Sequence, residues 1–77
     1  MSVISNIEID EGAKLALEKN ASLLSKGVVK IDGPFKTGDG LSVIFNKKII
    51  AKGIAKTDSN SSGSDSLLIH KDDLIIL

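Results

Sequence analysis

The chain has 77 residues, with ten lysines, no arginine, ten acidic residues and a formal net charge of zero. A globular chain of this length buries only about 60% of the surface that its unfolded form exposes, which suits one small domain. There is no cysteine, which excludes disulfides and thiolate metal sites. No apolar run exceeds four residues, which excludes a membrane-spanning helix. We therefore expect one domain over residues 1–77, and the absence of a signal-peptide pattern favours the cytoplasm.

The charges are unevenly distributed along the chain. Residues 26–56 contain seven lysines and two aspartates, a net charge of plus five, while the remainder carries three lysines and eight acids, minus five. Such a basic middle permits a positive face that attracts nucleic acid. The alternative is that these lysines are solvated strand-edge residues that oppose aggregation. The lack of arginine, which binds phosphate in a bidentate manner, favours this alternative.

The first third of the chain predicts a strand followed by a helix. Residues Val3–Ile9 alternate loosely and indicate a short first strand. Asp10 is placed to cap a helix over residues 11–20, with Glu11 in the first turn, where the helix dipole favours negative charge. Asn20 is a suitable stop because asparagine tolerates the left-handed conformation. Residues 21–26 look too short for an element of their own, and their two leucines are expected to pack beneath the sheet.

The middle of the chain predicts β structure with special turns. Two apolar runs, 28–31 and 41–45, enclose glycines and a proline at positions 33–40. Pro34 should end the strand Val28–Asp32 because it lacks an N–H. Phe35 is expected to be buried.

A hairpin is the clearest local prediction. Strands over 41–45 and 48–56 flank a tight turn at Asn46 and Lys47, with Ile50 and Ile54 as expected core residues. Gly53 weakens the second strand unless a bulge or a close backbone approach requires it. Residues 57–66 are wholly polar and predict a loop, and residues 67–69 and 74–77 predict the last strands.

Few residues could carry chemistry. His70, Asp72 and Asp73 are the only cluster of catalytic residue types, and a polar turn between strands explains them better than an acid–base pair or a metal site. Gly33, Gly38 and Gly40 precede a strand rather than a helix, so they form no phosphate loop. The residues therefore predict no active site, no cofactor and no metal. Nucleic-acid binding would rely on lysines and backbone amides, since the two Phe are needed for the core.

Several strings of the sequence resemble those of a PUA domain, the small pseudobarrel of RNA-modifying enzymes. They are DEGA at 10–13, SLLSKGV at 22–28, GPFKTGD at 33–39 and IAKGIA at 50–55. The last, IHKDDLI at 69–75, is similar to the end of the PUA domain attached to glutamate 5-kinase, the first enzyme of proline synthesis. The resemblance implies a mostly β, mixed-strand pseudobarrel with one α-helix and no catalytic role of its own. It also implies a second helix, which the polar residues 57–66 could not form, so a loop is expected there.

The resemblance also implies where RNA would bind. In RNA-bound PUA domains the contacts fall on the first helix, the loop into the second strand and the last strand. Transferred to this sequence, they point to Lys14, Lys19, Lys26, Gly27 and Lys71. A turn glycine is an equally good explanation of Gly27, and solvated surface is the simpler explanation of the helix and strand lysines.

Two functions therefore stay open. The first is a module that binds structured RNA, with Lys26, Gly27 and Lys71 lining the site. The second is a regulatory or structural domain of a glutamate 5-kinase that contacts an amino-acid-kinase domain and binds no RNA. In that second case the nucleotide and glutamate sites would lie in the kinase domain, which is absent from this chain.

Overall fold

The computed structural model describes residues 3–60 and 66–77, which contain seven strands and one α-helix. Two single-turn 3-10 helices, Ser25–Gly27 and Lys71–Asp73, precede the third and the last strand. The elements are β1 (Val3–Ile9), α1 (Glu11–Glu18), β2 (Leu23–Leu24), β3 (Val28–Asp32), β4 (Gly40–Phe45), β5 (Lys48–Ile54), β6 (Leu67–Ile69) and β7 (Leu74–Ile76).

The strands form a mixed five-stranded sheet and a separate pair. The large sheet has the order β3-β1-β4-β5-β7, in which β1 and β4 run parallel and the other neighbours are antiparallel. Strands β2 and β6 pair antiparallel. The predicted fold class, mostly β with one helix and mixed strands, is confirmed.

The core is aliphatic, as the composition requires. Ile7 of β1 lies opposite Ile31 of β3 and Val43 of β4, so these side chains share one face of the sheet. Ile7 and Val43 are fully buried, while Ile31 on the edge strand is partly exposed. Phe35 is buried, as predicted. Among the described residues, the buried hydrophobic cluster consists of Ile7, Ile9, Leu17, Leu23, Phe35, Leu41, Val43, Ala51, Ala55, Leu68 and Ile69.

Helix α1 begins as predicted and ends two residues early. The Asp10 carboxylate accepts from the N–H of Ala13 at 2.8 Å, which satisfies one of the free donors of the first turn. The helix ends at Glu18 because the N–H of Lys19 turns back to the Ala16 carbonyl at 3.1 Å. Asn20 has the predicted left-handed conformation, with φ of 64°.

Three sequence predictions about strands differ from the structure. Residues 21–26 do contain elements, since Leu23–Leu24 pairs with β6 more than forty residues later, a partner that no local pattern reveals. Strand β5 ends at Ile54 rather than at residue 56. Its fully buried residues are not Ile50 and Ile54 but alanine at 51 and glycine at 53. The register of β4 and β5 shifts at Ile50, which is partly buried against the core. From Ala51 to Ile54 the pairing is regular, with Ala51 and Gly53 facing inward, so Ile54 is only half-buried.

The polar segment after β5 is hydrogen-bonded to the turn after β3. The Asp58 carboxylate accepts from the N–H and the hydroxyl of Thr37, at 2.7 and 3.1 Å. Ser59 and Phe35 exchange two further hydrogen bonds, Phe35 N–H to Ser59 Oγ and Ser59 N–H to the Phe35 carbonyl. Residues 57–60 form turns rather than helix, and the rest of the predicted loop, 61–65, lies outside the described residues. Of the helices that the structure describes, none is long and apolar enough to cross a membrane.

Candidate functional site

A groove of about 490 Å³ separates helix α1 from β2 and the 3-10 turn that follows it. Its helix side consists of small residues, so the groove is open and mainly apolar. Its lining comprises Asp10, Gly12, Ala13, Ala16, Ala21, Ser22, Leu23, Leu24, Lys26 and Gly27. Two of the predicted contact residues, Lys26 and Gly27, are thus brought together at one wall.

Gly27 is a buried packing residue as well as part of the groove. Its carbonyl accepts from the Asp10 N–H at 2.9 Å, which fixes the start of the helix. A Cβ at Gly27 would lie 2.5 Å from the Ala13 Cβ, far inside contact distance. The close approach of the helix therefore explains a glycine at this position without any ligand.

Of the predicted lysines, Lys26 lines the groove as an exposed residue of the 3-10 turn. The N–H of Lys71 donates to Ser22 Oγ at 2.8 Å, but Lys71 itself lines a separate cavity beside Asn20. Lys19 is exposed and lies just past the end of α1. In the described part of the chain none of these three ammonium groups forms an ion pair.

Lys14 lies apart from the other predicted residues. Its ammonium group is 3.2 Å from the Glu18 carboxylate and 5.5 Å from the centroid of the Phe45 ring. Residues 14 and 18 form a stripe of the helix that faces the end of β4, well away from the Gly12 and Ala16 stripe. The structure therefore does not bring Lys14 to the groove.

The cluster of His70, Asp72 and Asp73 forms a polar turn. His70 Nδ1 accepts from the Asp72 N–H at 3.0 Å and thereby caps the last 3-10 helix. The Asp73 carboxylate lies 2.8 Å from the Lys56 ammonium group, and this hydrogen bond lowers the pKa of Asp73. Within the described residues no three histidine, cysteine or acidic side chains stand close enough to hold a metal ion.

The helix also contributes small residues to the groove that the sequence prediction did not single out. Gly12, Ala13 and Ala16 give the groove its width, and Ser22 connects it to Lys71. The sequence did contain a sign of this groove, because small residues at positions 12, 13 and 16 lie on one face of a helix. Ser22 could not be found in this way, since its bond to Lys71 spans 49 residues.

Comparison with known proteins decides the family. A sequence model described as "PUA domain" matches residues 5–61. The chain belongs to the PUA domain family. The match includes α1, the groove and strands β2 to β5 of this PUA domain.

The curated relatives of this PUA domain include several glutamate 5-kinases. The enzyme of Prochlorococcus marinus is 34% identical over 88 residues, covering 99% of this chain and 24% of the kinase. Glutamate 5-kinase 2 of Pseudoalteromonas translucida is 39% identical over 90 residues, covering 92% of this chain and 24% of the kinase. The chain thus spans about a quarter of the length of these relatives, and the matched part is their non-catalytic PUA portion.

Solved structures show the same fold. A PUA domain from Aeropyrum pernix, crystallised with tartrate, superposes with a TM-score of 0.70 at 25% identity and covers 84% of this chain and 41% of its own. A chain of the archaeal box H/ACA sRNP Nop10-Cbf5 complex superposes with a TM-score of 0.79 at 25% identity, covering 86% of this chain and 22% of its own. The pseudobarrel predicted from the sequence is therefore shared with both.

Proposed function

We propose that residues 1–77 form one PUA domain that binds structured RNA along the groove beside α1. The observation that carries this proposal is the arrangement of Lys19, Lys26 and Lys71. Lys26 lines the groove, the backbone of Lys71 is hydrogen-bonded to Ser22 of the groove lining, and Lys19 lies at the end of α1. All three are exposed, with no ion pair among the described residues. The likeness to a chain of a box H/ACA sRNP protein complex supports RNA as the ligand.

The chemistry of the groove favours contacts to the RNA backbone. Lysine is a compact point charge that meets phosphate without selecting a base. No aromatic side chain lines the groove, so bases have no stacking platform there. Sugar edges and phosphates of a shallow RNA minor groove fit such a surface by shape. We therefore expect binding that is weak, with a Kd of about 10⁻⁴ to 10⁻⁶ M, and strongly dependent on salt.

Replacing the groove lysines by alanine tests this proposal. Lys26→Ala and Lys71→Ala should each weaken binding of an RNA hairpin severalfold and reduce the slope of log K against log salt by about 1. The measurement is a fluorescence anisotropy titration at several salt concentrations.

Lys48→Ala is the matched control for these variants. Lys48 is exposed and lies opposite Phe45, on the side of the helix occupied by Lys14. The Lys48→Ala substitution removes one positive charge from the chain but none from the groove. The affinity for RNA and the slope of log K against log salt should therefore stay close to those of the parent. Equal losses for Lys48→Ala and Lys26→Ala would mean that only the total charge matters, which contradicts a site at the groove.

The glutamate 5-kinase relatives favour a second candidate, a regulatory or structural role in proline biosynthesis. The match extends over nearly the whole chain but only about a quarter of each kinase. In this case the domain would contact an amino-acid-kinase domain in the cytoplasm rather than RNA. Removing the matching quarter from the Prochlorococcus enzyme should then leave phosphorylation of glutamate intact but abolish its response to proline. A shortened enzyme with an unchanged proline response would exclude the regulatory role.

A further inference from the structure

The outer edge of β3 is open in the described part of the chain. Strand β3 is the first of the five-stranded sheet, and of the strands that the structure describes it pairs with β1 alone. Its side chains include Val29 and Ile31, which are 64% and 38% exposed. Pro34 follows the strand but lies outside it, so each residue of β3 keeps its N–H. An exposed strand edge with apolar residues is a template for another strand.

The backbone direction identifies which residue of β3 faces outward. The N–H of Asp10 donates to the Gly27 carbonyl at 2.9 Å and so points toward β3. The alternate residues Glu8 and Asn6 of β1 also face β3, and they pair with Lys30 and Asp32. The backbone N–H and C=O groups of Lys30 and Asp32 therefore point toward β1. Along a strand, the N–H and C=O groups of successive residues point to opposite edges. The N–H and C=O of Ile31 therefore point to the open edge.

The charges that flank Ile31 are self-complementary. Lys30 and Asp32 lie opposite Glu8 and Asn6 of β1, on the face of the sheet away from Ile7. Neither charged group forms an ion pair among the described residues. If two copies pair antiparallel about Ile31, Lys30 of each copy lies opposite Asp32 of the other. Lys30 and Asp32 of the other copy then form a non-hydrogen-bonded pair, the type of antiparallel pair in which opposing side chains come closest.

We propose that a second copy of this chain pairs with the open edge of β3 in a two-fold symmetric dimer. The two Ile31 residues exchange a pair of backbone hydrogen bonds, and two Lys30–Asp32 pairs fix the register. The two five-stranded sheets then form one continuous sheet. Strand β7 at the other edge carries no charged residue within Leu74–Ile76, so it has no charge pairs that could fix the register of a second strand. One strand pair buries well under about 1,200 Å², so the dimer is weak, with dissociation in the range of about 0.1–1 mM.

Charge-reversal variants of Lys30 and Asp32 test this dimer. Sedimentation equilibrium of the parent chain from about 10 μM to about 1 mM should show weak self-association. Lys30→Asp and Asp32→Lys each place like charges opposite one another and should weaken self-association about tenfold. An equal mixture of the two variants should associate as well as the parent, because every opposing pair is then of opposite sign. Lys52→Asp is the matched control, since Lys52 lies on the same face but on β5, and it should change nothing.

Hydrogen exchange of the Ile31 amide gives an independent result. Protection of this amide should rise with concentration over the same range, in parallel with dimer formation. A chain that stays monomeric at about 1 mM overturns the proposal, as does a mixture of charge variants that fails to associate. Concentration-independent protection of Ile31 in a monomer also overturns it, because the edge would then be closed by residues of the same chain.

Discussion

Gly53→Ala is expected to lower the free energy of unfolding by about 2 kcal/mol, within the range known for overpacked cores. A Cβ at this position would lie 2.5 Å from Ile69 Cγ2, 3.1 Å from Ile69 Cδ1 and 3.0 Å from the Asp73 carbonyl oxygen. The Ile69 side chain is completely buried and cannot rotate into solvent, and the carbonyl belongs to the backbone. The loss would be a large share of the about 4–12 kcal/mol expected for a chain of 77 residues. Urea denaturation followed by circular dichroism measures it.

A double-mutant cycle distinguishes this clash from a simple effect of alanine in a strand. Ile69→Ala alone should cost about 2–5 kcal/mol because it leaves a cavity. In that background the added methyl group of Gly53→Ala fills part of the cavity, so it should cost at least about 1 kcal/mol less than in the parent. Gly12→Ala is the control, since its Cβ would meet only Asp10 Oδ1 at 3.5 Å and alanine favours a helix. Additive losses at positions 53 and 69 would contradict the packing of β6 on β5.

Gly27→Ala should cost about 1–3 kcal/mol and shift the start of α1. The added Cβ would lie 2.5 Å from the Ala13 Cβ, which is fixed to the helix backbone and has no rotamer to change. The helix must then move away from the 3-10 turn, which lengthens the bond between Asp10 N–H and the Gly27 carbonyl. The unfolding free energy gives the cost, and amide chemical shifts of residues 10–13 report the movement.

Ala13→Gly supplies the matching rescue experiment. Alone it should cost about 1 kcal/mol, the usual penalty for glycine within a helix. Ala13→Gly removes the methyl group that the new Cβ would meet. In that background, Gly27→Ala should therefore lower the free energy of unfolding only slightly further. If Gly27→Ala costs the same in both backgrounds, the glycine is required for some reason other than its contact with Ala13.

The local elements of this fold could be predicted because their signals are local. The Asp10 cap, the break at Pro34 and the turn at Asn46 and Lys47 each follow from short-range chemistry, and the structure has all three. Strand β2 was missed because two leucines carry no periodicity and their partner β6 is remote. The inward residues of β5 were misassigned because two small residues, Ala51 and Gly53, hold the inward positions, and a search for large apolar side chains does not find them.

The site could be predicted only in part, for a related reason. Lys26 and Gly27, to which the family pattern pointed, lie at one wall of a groove. The pattern could not show that Lys14 pairs with Glu18 away from the groove, nor that Lys71 is hydrogen-bonded to Ser22. Gly53 illustrates the same limit, since a glycine in a strand indicates a close approach but does not name the neighbour.

The most direct test of the proposed RNA site is a titration of the isotopically labelled chain with an RNA hairpin at low salt, followed by amide chemical shifts. The proposal predicts that Ser22, Lys26, Gly27 and Lys71 shift together and saturate with one dissociation constant. The amide chemical shifts of Lys14 and Lys48 should not change, since both residues lie on the other side of the helix. No shift at Gly27 and Lys71 up to saturating RNA, or shifts confined to the Lys14 side, would contradict the assignment of the groove as an RNA-binding site.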